Sequence, residues 1–362
     1  MKKVIIYAYT KFNLGDDLFI KILCERYTDT EFIIYAPEKY KDGFKNIKNL
    51  KCYNSESIIN RGINFIFRKM NQSNFVERYL ANKCDAGVYI GGSLFIQGDD
   101  WKEYLEEYIK LKKIDNQPFY LLGANFGPYK DEDYYIEHKD LFSKYTDVCF
   151  REKYSYDMFK DLSNVRLADD IIFQYEKPEV QEENCVTISV IKPSYRKNLE
   201  AYDEVYYEKI KDISIDFVKK GMEVNLVSFC EEEGDVEAIE HINKLIPKEY
   251  LHKINNNYYS LNIDETVNLL AKSKFIIASR FHAMILGWVF NKPVLPIVYS
   301  SKMTNVINDV GFNGFYTDFS NIHNVTLEQV NNCIKENKID VSKQVRNASK
   351  HFEKLDILLN KN

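Results

Sequence analysis

Arg280 and His282 stand two residues apart in Ser279-Arg280-Phe281-His282-Ala283, and Lys302 follows in Tyr299-Ser300-Ser301-Lys302. A guanidinium offers a planar fork of donors to carboxylate or phosphate, a lysine offers a point charge, and an imidazole changes charge near neutral pH. Together they suit a small polyanion that must also exchange a proton. The apolar run 275–278 before Arg280 predicts a buried strand, and 283–290 after it predicts a helix. The next strand, expected at 294–298, delivers Lys302 to the same sheet edge. In open α/β sheets that edge borders the crevice where ligands bind. Plainer readings stand beside these: a surface Arg-x-His pair, a packed structural imidazole, a solvated loop lysine.

Arg151 ends a strand expected at 147–150 and is a second forked cation; its plainer role is an ion pair with a neighbour such as Glu152. Asn13-Leu14-Gly15-Asp16 joins the first strand to the first helix. Gly15 allows close backbone approach there, and a helix N-terminus can receive an oxyanion, although Asp16 could equally be an N-cap. No G-x-G-x-x-G occurs, so this is not a dinucleotide fingerprint. Gly91-Gly92-Ser93 closes the strand at 86–90 and is expected to let backbone approach a ligand. Gly123-Ala124-Asn125-Phe126-Gly127-Pro128 closes the strand at 118–122. Asp169-Asp170 is a carboxylate pair, but without a nearby His or third carboxylate it reads as structural, and no metal site is expected.

Strands and helices alternate along the chain, which implies parallel sheets with helices on both faces. The first set of strands is expected at 3–9, 31–36, 86–90, 118–122, 147–150 and 165–168, with helices at 17–27 and 101–113. The stretch 174–184 is charged, contains Pro178 and lacks periodicity, so it reads as a linker. A second set follows at 185–191, 223–229, 251–254, 275–278 and 294–298, interleaved with helices. The fold class is therefore α/β, with two Rossmann-like domains facing across a cleft. The N-terminal domain is placed at 1–176, the C-terminal domain at 184–340 and a C-terminal helix at 341–362. Arg151, Arg280 and His282, each following a strand, are expected to share that cleft.

The 362 residues exceed one ordinary core, and 45% hydrophobic content suffices for two. A net charge of −5 does not suggest a nucleic-acid partner. The seven cysteines are scattered without a C-x-x-C pair, so they are expected to be small buried residues in a reducing cytosol. The apolar run after Met1 is too short for a signal peptide, and no stretch approaches a membrane span. The segment 60–83 is unlike the rest. Arg61, Arg68, Lys69, Arg78 and Lys83 face only Glu77, a net +4, and Phe and Ile residues interleave. Such a stretch can lie on an anionic membrane surface, or be an ordinary helix packed on its own domain.

Taken in order, these motifs resemble the polysaccharide pyruvyl transferases. The pieces are Asn13-Leu14-Gly15-Asp16, Gly91-Gly92-Ser93, Gly123 to Pro128, Arg151-Glu152-Lys153-Tyr154-Ser155, Asp169-Asp170, Ser279 to Ala283 and Tyr299 to Lys302, spread over roughly 3–305. The resemblance implies a GT-B-like fold and a cytoplasmic enzyme, and the segment 60–83 would allow it a peripheral contact at the inner membrane face. It would move an enolpyruvyl unit from phosphoenolpyruvate to a sugar diol as a ketal, in surface polysaccharide biosynthesis. It implies catalytic roles for His282, Arg280 and Arg151, with both arginines at the donor. Substrate contacts fall to Lys302, Asn13, Gly15, Asp16, Gly91, Gly92, Ser93 and Asn125. The N-terminal domain would serve the acceptor, on a lipid-linked oligosaccharide, and the C-terminal domain the donor; no cofactor is implied. The sequence departs from the pattern at Ser93, where a third glycine is usual, at Ala124, and at Lys192, where an Arg often follows the first strand of the second domain. A GT-B glycosyltransferase using a nucleotide sugar, for which Glu231–Glu233 or Asp235 would bind ribose, and a non-catalytic sugar-binding homologue are the alternatives.

Overall fold

Val4, Ile5 and Ile6 are almost wholly buried, as are Phe32 to Ile34 and Phe119 to Leu122. Uninterrupted apolar strands of this kind suit a parallel sheet covered on both faces by helices. The structure, a computed structural model, describes residues 1–69, 74–114 and 117–359. It divides into two units, one of 1–10, 16–171 and 346–362, the other of 11–15 and 172–345.

The first unit holds β1 (Lys3–Tyr7), β2 (Glu31–Ala36), β3 (Leu50–Asn54), β4 (Ala86–Ile90), β5 (Phe119–Ala124), β6 (Asp147–Phe150) and β7 (Val165–Leu167), in the order β3-β2-β1-β4-β5-β6-β7. Every pairing is parallel. The order reverses beside β1, and the loops after β4, β5 and β6 carry Gly91 to Ser93, Asn125 and Arg151 at carboxyl ends. The C-terminal residues close this unit. Arg166 is bidentate to Asp147 at 2.7 Å, and reaches Lys350 O at 2.6 Å. Arg26 and Tyr27 both bind Asp356.

The second unit holds β8 (Cys185–Ser189), β9 (Glu223–Val227), β10 (Ile254–Asn257), β11 (Phe275–Ala278), β12 (Val294–Val298) and β13 (Thr317–Asp318), in the order β10-β9-β8-β11-β12-β13. All its pairings are parallel too. Its switch point lies between β8 and β11, where Ser189 Oγ accepts the backbone N–H of Arg280 at 3.1 Å. The two parallel α/β units are those the alternation implies. The strand expected at 251–254 is instead a 3-10 turn, Leu251–Lys253, leading into β10. β10 is an edge strand of three asparagines after Ile254, so hydrophobic patterning passes over it. All seven cysteines are free, and six are buried.

Candidate functional site

In the second unit, the turn from β11 into the helix Phe281–Val289 places Arg280 at the N-cap and His282 in the first turn. Arg280 is buried, and its guanidinium is already engaged. Nε donates to Asp235 Oδ2 at 2.9 Å, Nη2 donates to Asp235 Oδ1, and Nη1 donates to Glu233 Oε2. Asp235 is fully buried and also accepts from the backbone of Phe229 and Cys230 at 2.8 and 3.0 Å. Burial opposes the charge on Arg280, but Asp235 and Glu233 outweigh it and push its pKa further up. Arg280 is thus a cation fixed in place by two carboxylates.

Glu233 is the hub of a wider cluster. It accepts from Arg196 Nη2 at 2.7 Å and from Asn13 Nδ2 at 3.3 Å. Burial works against its ionisation, yet Arg280 and Arg196 hold its pKa below the ordinary carboxylate value. The Arg196 guanidinium lies 4.8 Å over the Tyr299 ring, and Lys302 Nζ lies 5.4 Å from the same ring and from that of Phe281. Burial would raise the Tyr299 phenol, but Lys302, Arg196 and Arg280 hold it below its usual value. Lys302 sits in the first turn of the helix Ser301–Val310, whose N-cap residue, Ser300, has a buried Oγ that finds no hydrogen-bond partner among the described residues.

The loop 11–15 belongs to this unit. Leu14 N donates to Phe229 O at 3.0 Å, and Asn13 Oδ1 accepts from Gly15 N at 3.1 Å, so Asn13 is the residue that caps the helix Leu14–Arg26. Gly15 lies flat against His282: a Cβ there would fall 1.6 Å from Nδ1. The sequence assigns Gly15 to close approach of a ligand; the group that approaches is an imidazole.

The first unit gathers a second set. Arg151, 3% exposed at its side chain, donates to Asp170 Oδ2 at 2.8 Å and to Asn125 Oδ1 at 2.6 Å. Ser93 Oγ donates to the same Asn125 oxygen at 3.3 Å. Asn125 N donates to Gly92 O at 2.9 Å, and a Cβ on Gly92 would fall 2.4 Å from Arg151 Nη1. Asp170 is an ion-pair partner of Arg151, and Glu152 accepts from Ser155. Asp169 accepts from Asn347 at 2.7 Å, and its carbonyl meets His351 Nε2 at 2.9 Å. Among the described residues, no three His, Cys, Asp or Glu side chains gather as metal ligands would.

The sequence-predicted residues thus form two groups. Asn13, Gly15, Arg280, His282 and Lys302 lie in the second unit; Gly91, Gly92, Ser93, Asn125, Arg151 and the half-buried Asp16 lie in the first. Sequence reasoning missed Arg196, and it named Tyr299 only as part of a motif. Lys192 pairs with Glu237, while Arg196, four residues on in the same loop, supplies the cation beside Tyr299. An arginine in the loop after β8 was the available signal.

A family model described as polysaccharide pyruvyl transferase matches residues 13–301. The chain belongs to the polysaccharide pyruvyl transferase family. Its motifs at Asn13 to Gly15, Arg280 to His282 and Tyr299 to Ser301 fall inside that match. The amylovoran biosynthesis protein AmsJ of Erwinia amylovora is 20% identical over 315 residues, which is 80% of this chain and 74% of AmsJ. Among solved structures, Anabaena Alr3699/HepE in complex with UDP and glucose matches with a TM-score of 0.59 at 12% identity, over 100% of both chains. The UDP-GlcNAc 2-epimerase of Methanocaldococcus jannaschii matches with a TM-score of 0.61 at 10% identity, over 99% of each. These likenesses place this pyruvyl transferase family member in the GT-B-like fold class.

Proposed function

We propose that this chain transfers an enolpyruvyl unit from phosphoenolpyruvate to a sugar diol, closing a pyruvate ketal during surface polysaccharide biosynthesis. Membership of the pyruvyl transferase family supports a transferase, and the likeness to AmsJ supports polysaccharide assembly as its setting. The observation that carries the reading is the gathering of Arg196, Arg280 and Lys302 around Tyr299 and Glu233, in the unit where His282 lies against Gly15. Phosphoenolpyruvate brings a carboxylate and a phosphate, and needs fixed cations for both.

The chemistry divides among these groups. One sugar oxygen bonds to the central carbon of the enolpyruvyl unit while a proton reaches its methylene carbon, which becomes a methyl group. The bond to the phosphate oxygen then breaks, inorganic phosphate leaves, and the second hydroxyl adds and gives up its proton. His282 is the group assigned to the proton transfers. Lys302 and Arg196 meet the anionic donor, with Lys302 opposite charge developing on the departing phosphate. Arg280, with three of its N–H groups held by carboxylates, positions the turn that carries His282 and presents its remaining hydrogens. Arg151, Asn125, Ser93 and Gly92 are assigned to substrate binding, with Asn13, Gly15, Asp16 and Gly91 shaping backbone around it. The acceptor in this reading is a lipid-linked sugar at the cytoplasmic face. The nucleotide-sugar alternative wants a free carboxylate for ribose, whereas Asp235 and Glu233 are both engaged by Arg280.

The test is sugar-dependent phosphate release from phosphoenolpyruvate, with the ketal identified by the product's mass. His282→Ala should abolish that release. Release of UDP from a UDP-sugar by the same protein, with none of phosphate from phosphoenolpyruvate, would overturn the reading.

A further inference from the structure

The helix Ile58–Arg68 of the first unit carries most of its apolar surface on the outside. It buries no residue. The face it turns to its own unit is mixed: the half-buried Ile63 and Phe67 lie there beside two asparagines, with Asn60 Nδ2 donating to Asn54 O at 2.7 Å and Asn64 Nδ2 to the Tyr35 hydroxyl at 3.2 Å. Asn64 Oδ1 also accepts from Val76 N at 3.0 Å. Its other four large apolar residues point outward. Ile58 is 88% exposed, Ile59 72%, Ile66 60% and Phe65 51%. Spacings of three, four and seven put these four on one stripe, with Gly62 at its centre. A water-facing helix does not gain stability from such a stripe, so the stripe is expected to meet something apolar.

The charges say what. Arg61 and Arg68 flank the stripe, and Lys69 follows it, in a chain of net charge −5. Lys69 Nζ lies 4.7 Å and the Arg68 guanidinium 5.9 Å from the centre of the Phe65 ring, so both cations stay beside the apolar stripe. Phe67 stacks on Phe75 with ring centres 3.6 Å apart, which ties the helix to the next one, Phe75–Ala81. There Lys83 Nζ lies 4.1 Å over the exposed ring of Tyr79. Residues 70–73 of this basic segment lie outside the described residues. Among the described residues, no helix is long and apolar enough to cross a membrane.

We infer that the helix Ile58–Arg68 seats this protein on an anionic phospholipid bilayer, its isoleucines and Phe65 entering the headgroup boundary and Arg61, Arg68 and Lys69 meeting lipid phosphates. A flat bilayer accepts a single convex helix, and short aliphatic and aromatic side chains beside cations are what interfacial helices use. A second copy fits less well. A symmetric pair would bring Arg61, Arg68 and Lys69 against their own counterparts, where like charges repel.

The inference is tested by sedimentation with vesicles of phosphatidylcholine plus phosphatidylserine, against vesicles of phosphatidylcholine alone. The wild type should sediment with the anionic vesicles at about 0.1 M salt and be released at about 1 M, where the Debye length falls to about 3 Å. Each basic side chain at such a surface strengthens partition about five-fold, so joint Arg61→Glu, Arg68→Glu and Lys69→Glu should lose more than about 100-fold. Ile59→Asp with Ile66→Asp should also abolish sedimentation. Both variants should keep the wild-type melting temperature, because the altered side chains are exposed. Equal sedimentation with both vesicle types, or none with either, would overturn the inference. So would a wild-type dimer in solution that Ile66→Asp dissolves, since a second copy would then be the occupant. None of these outcomes depends on phosphoenolpyruvate chemistry.

Discussion

Gly15→Ala adds one methyl group at the point where the loop 11–15 lies against His282. That methyl would stand 1.6 Å from Nδ1, 2.4 Å from Cε1 and 2.7 Å from Cγ of the imidazole. Non-bonded heavy atoms settle at about 3.5 Å or beyond, so about 2 Å must be found. The loop is pinned by Leu14 N to Phe229 O at 3.0 Å and by Asn13 to Glu233. The ring, at the end of a side chain with two rotatable bonds, should turn away. Gly15 lies in the first turn of a helix without a positive φ, so alanine suits its backbone and by itself should add about 1 kcal/mol of stability. Overpacking costs about 1–3 kcal/mol, which leaves a net loss of about 0–2 kcal/mol. For a unit of this size that is a fall of at most about 8 °C in melting temperature. The effect on turnover should be larger, because about 1 Å of misplacement of a reacting group can cost about 100-fold. The assays are calorimetry, in the wild type and in a His282→Ala background, and phosphate release from phosphoenolpyruvate in the wild-type background. Without the imidazole the clash is gone, so Gly15→Ala should there raise the melting temperature. Equal destabilisation in both backgrounds, or wild-type turnover in Gly15→Ala, would refute the argument.

Gly92→Ala places a methyl 2.4 Å from Arg151 Nη1, so it should destabilise the first unit by about 1–3 kcal/mol, and Arg151→Ala should relieve the clash; calorimetry of the double variant checks this. Asp235→Asn leaves the buried Arg280 without its bidentate partner and should cost about 3–5 kcal/mol in denaturant unfolding, whereas a midpoint near wild type would show that Glu233 alone holds the guanidinium. Burial holds His138 neutral, its pKa lowered from 6.5 to about 4, and holds His351 neutral, lowered from 6.5 to about 3 with Arg166 adding to the effect. The unfolded chain takes up protons below pH 6.5 that the native state refuses, so stability should fall between pH 6.5 and about 4, by about 3 kcal/mol for His138 alone. His138→Gln should flatten that slope in urea titrations.

The turn that carries Arg280 and His282 is legible because its flanks are unambiguous. Phe275 to Ala278 is uniformly apolar and β-prone, and Ala283 to Trp288 continues as a buried helix. What holds Arg280 is not legible, because Asp235 and Glu233 lie 45 and 47 residues away in sequence and share no local pattern with it. β3 and β10 escape for another reason. An edge strand has less to bury, so Lys51, Asn255 and Asn256 stay exposed and the apolar rhythm that marks a central strand is absent. The helix Ile58–Arg68, with its outward apolar stripe, shows the converse. Its periodicity is plain, but periodicity gives the apolar face and not the direction in which that face points. Only the bonds of Asn60 and Asn64 settle that.

The two groups of candidate residues repeat one device, and the repetition explains why motifs that are weak singly occur together. Arg151 is held by Asp170, shares Asn125, and rests against Gly92. Arg280 is held by Asp235 and Glu233, Glu233 takes a bond from Asn13, and the residue two beyond Arg280, His282, rests against Gly15. A buried guanidinium must be paired, or desolvation drives it out. Once paired it is fixed, and a fixed planar group leaves no room for a neighbouring Cβ. Each cation therefore requires a carboxylate, and each glycine follows from the plane packed against it. A lysine at position 151 would keep the charge but lose the fork that spans Asp170 and Asn125. Arg151→Lys should accordingly lower stability even though the net charge is unchanged, and adding Gly92→Ala should cost less in that variant than in the wild type, because an ammonium leaves space where the guanidinium plane had been. An equal cost of Gly92→Ala in both backgrounds would separate the glycine from the cation and leave its place in the motif to the backbone alone.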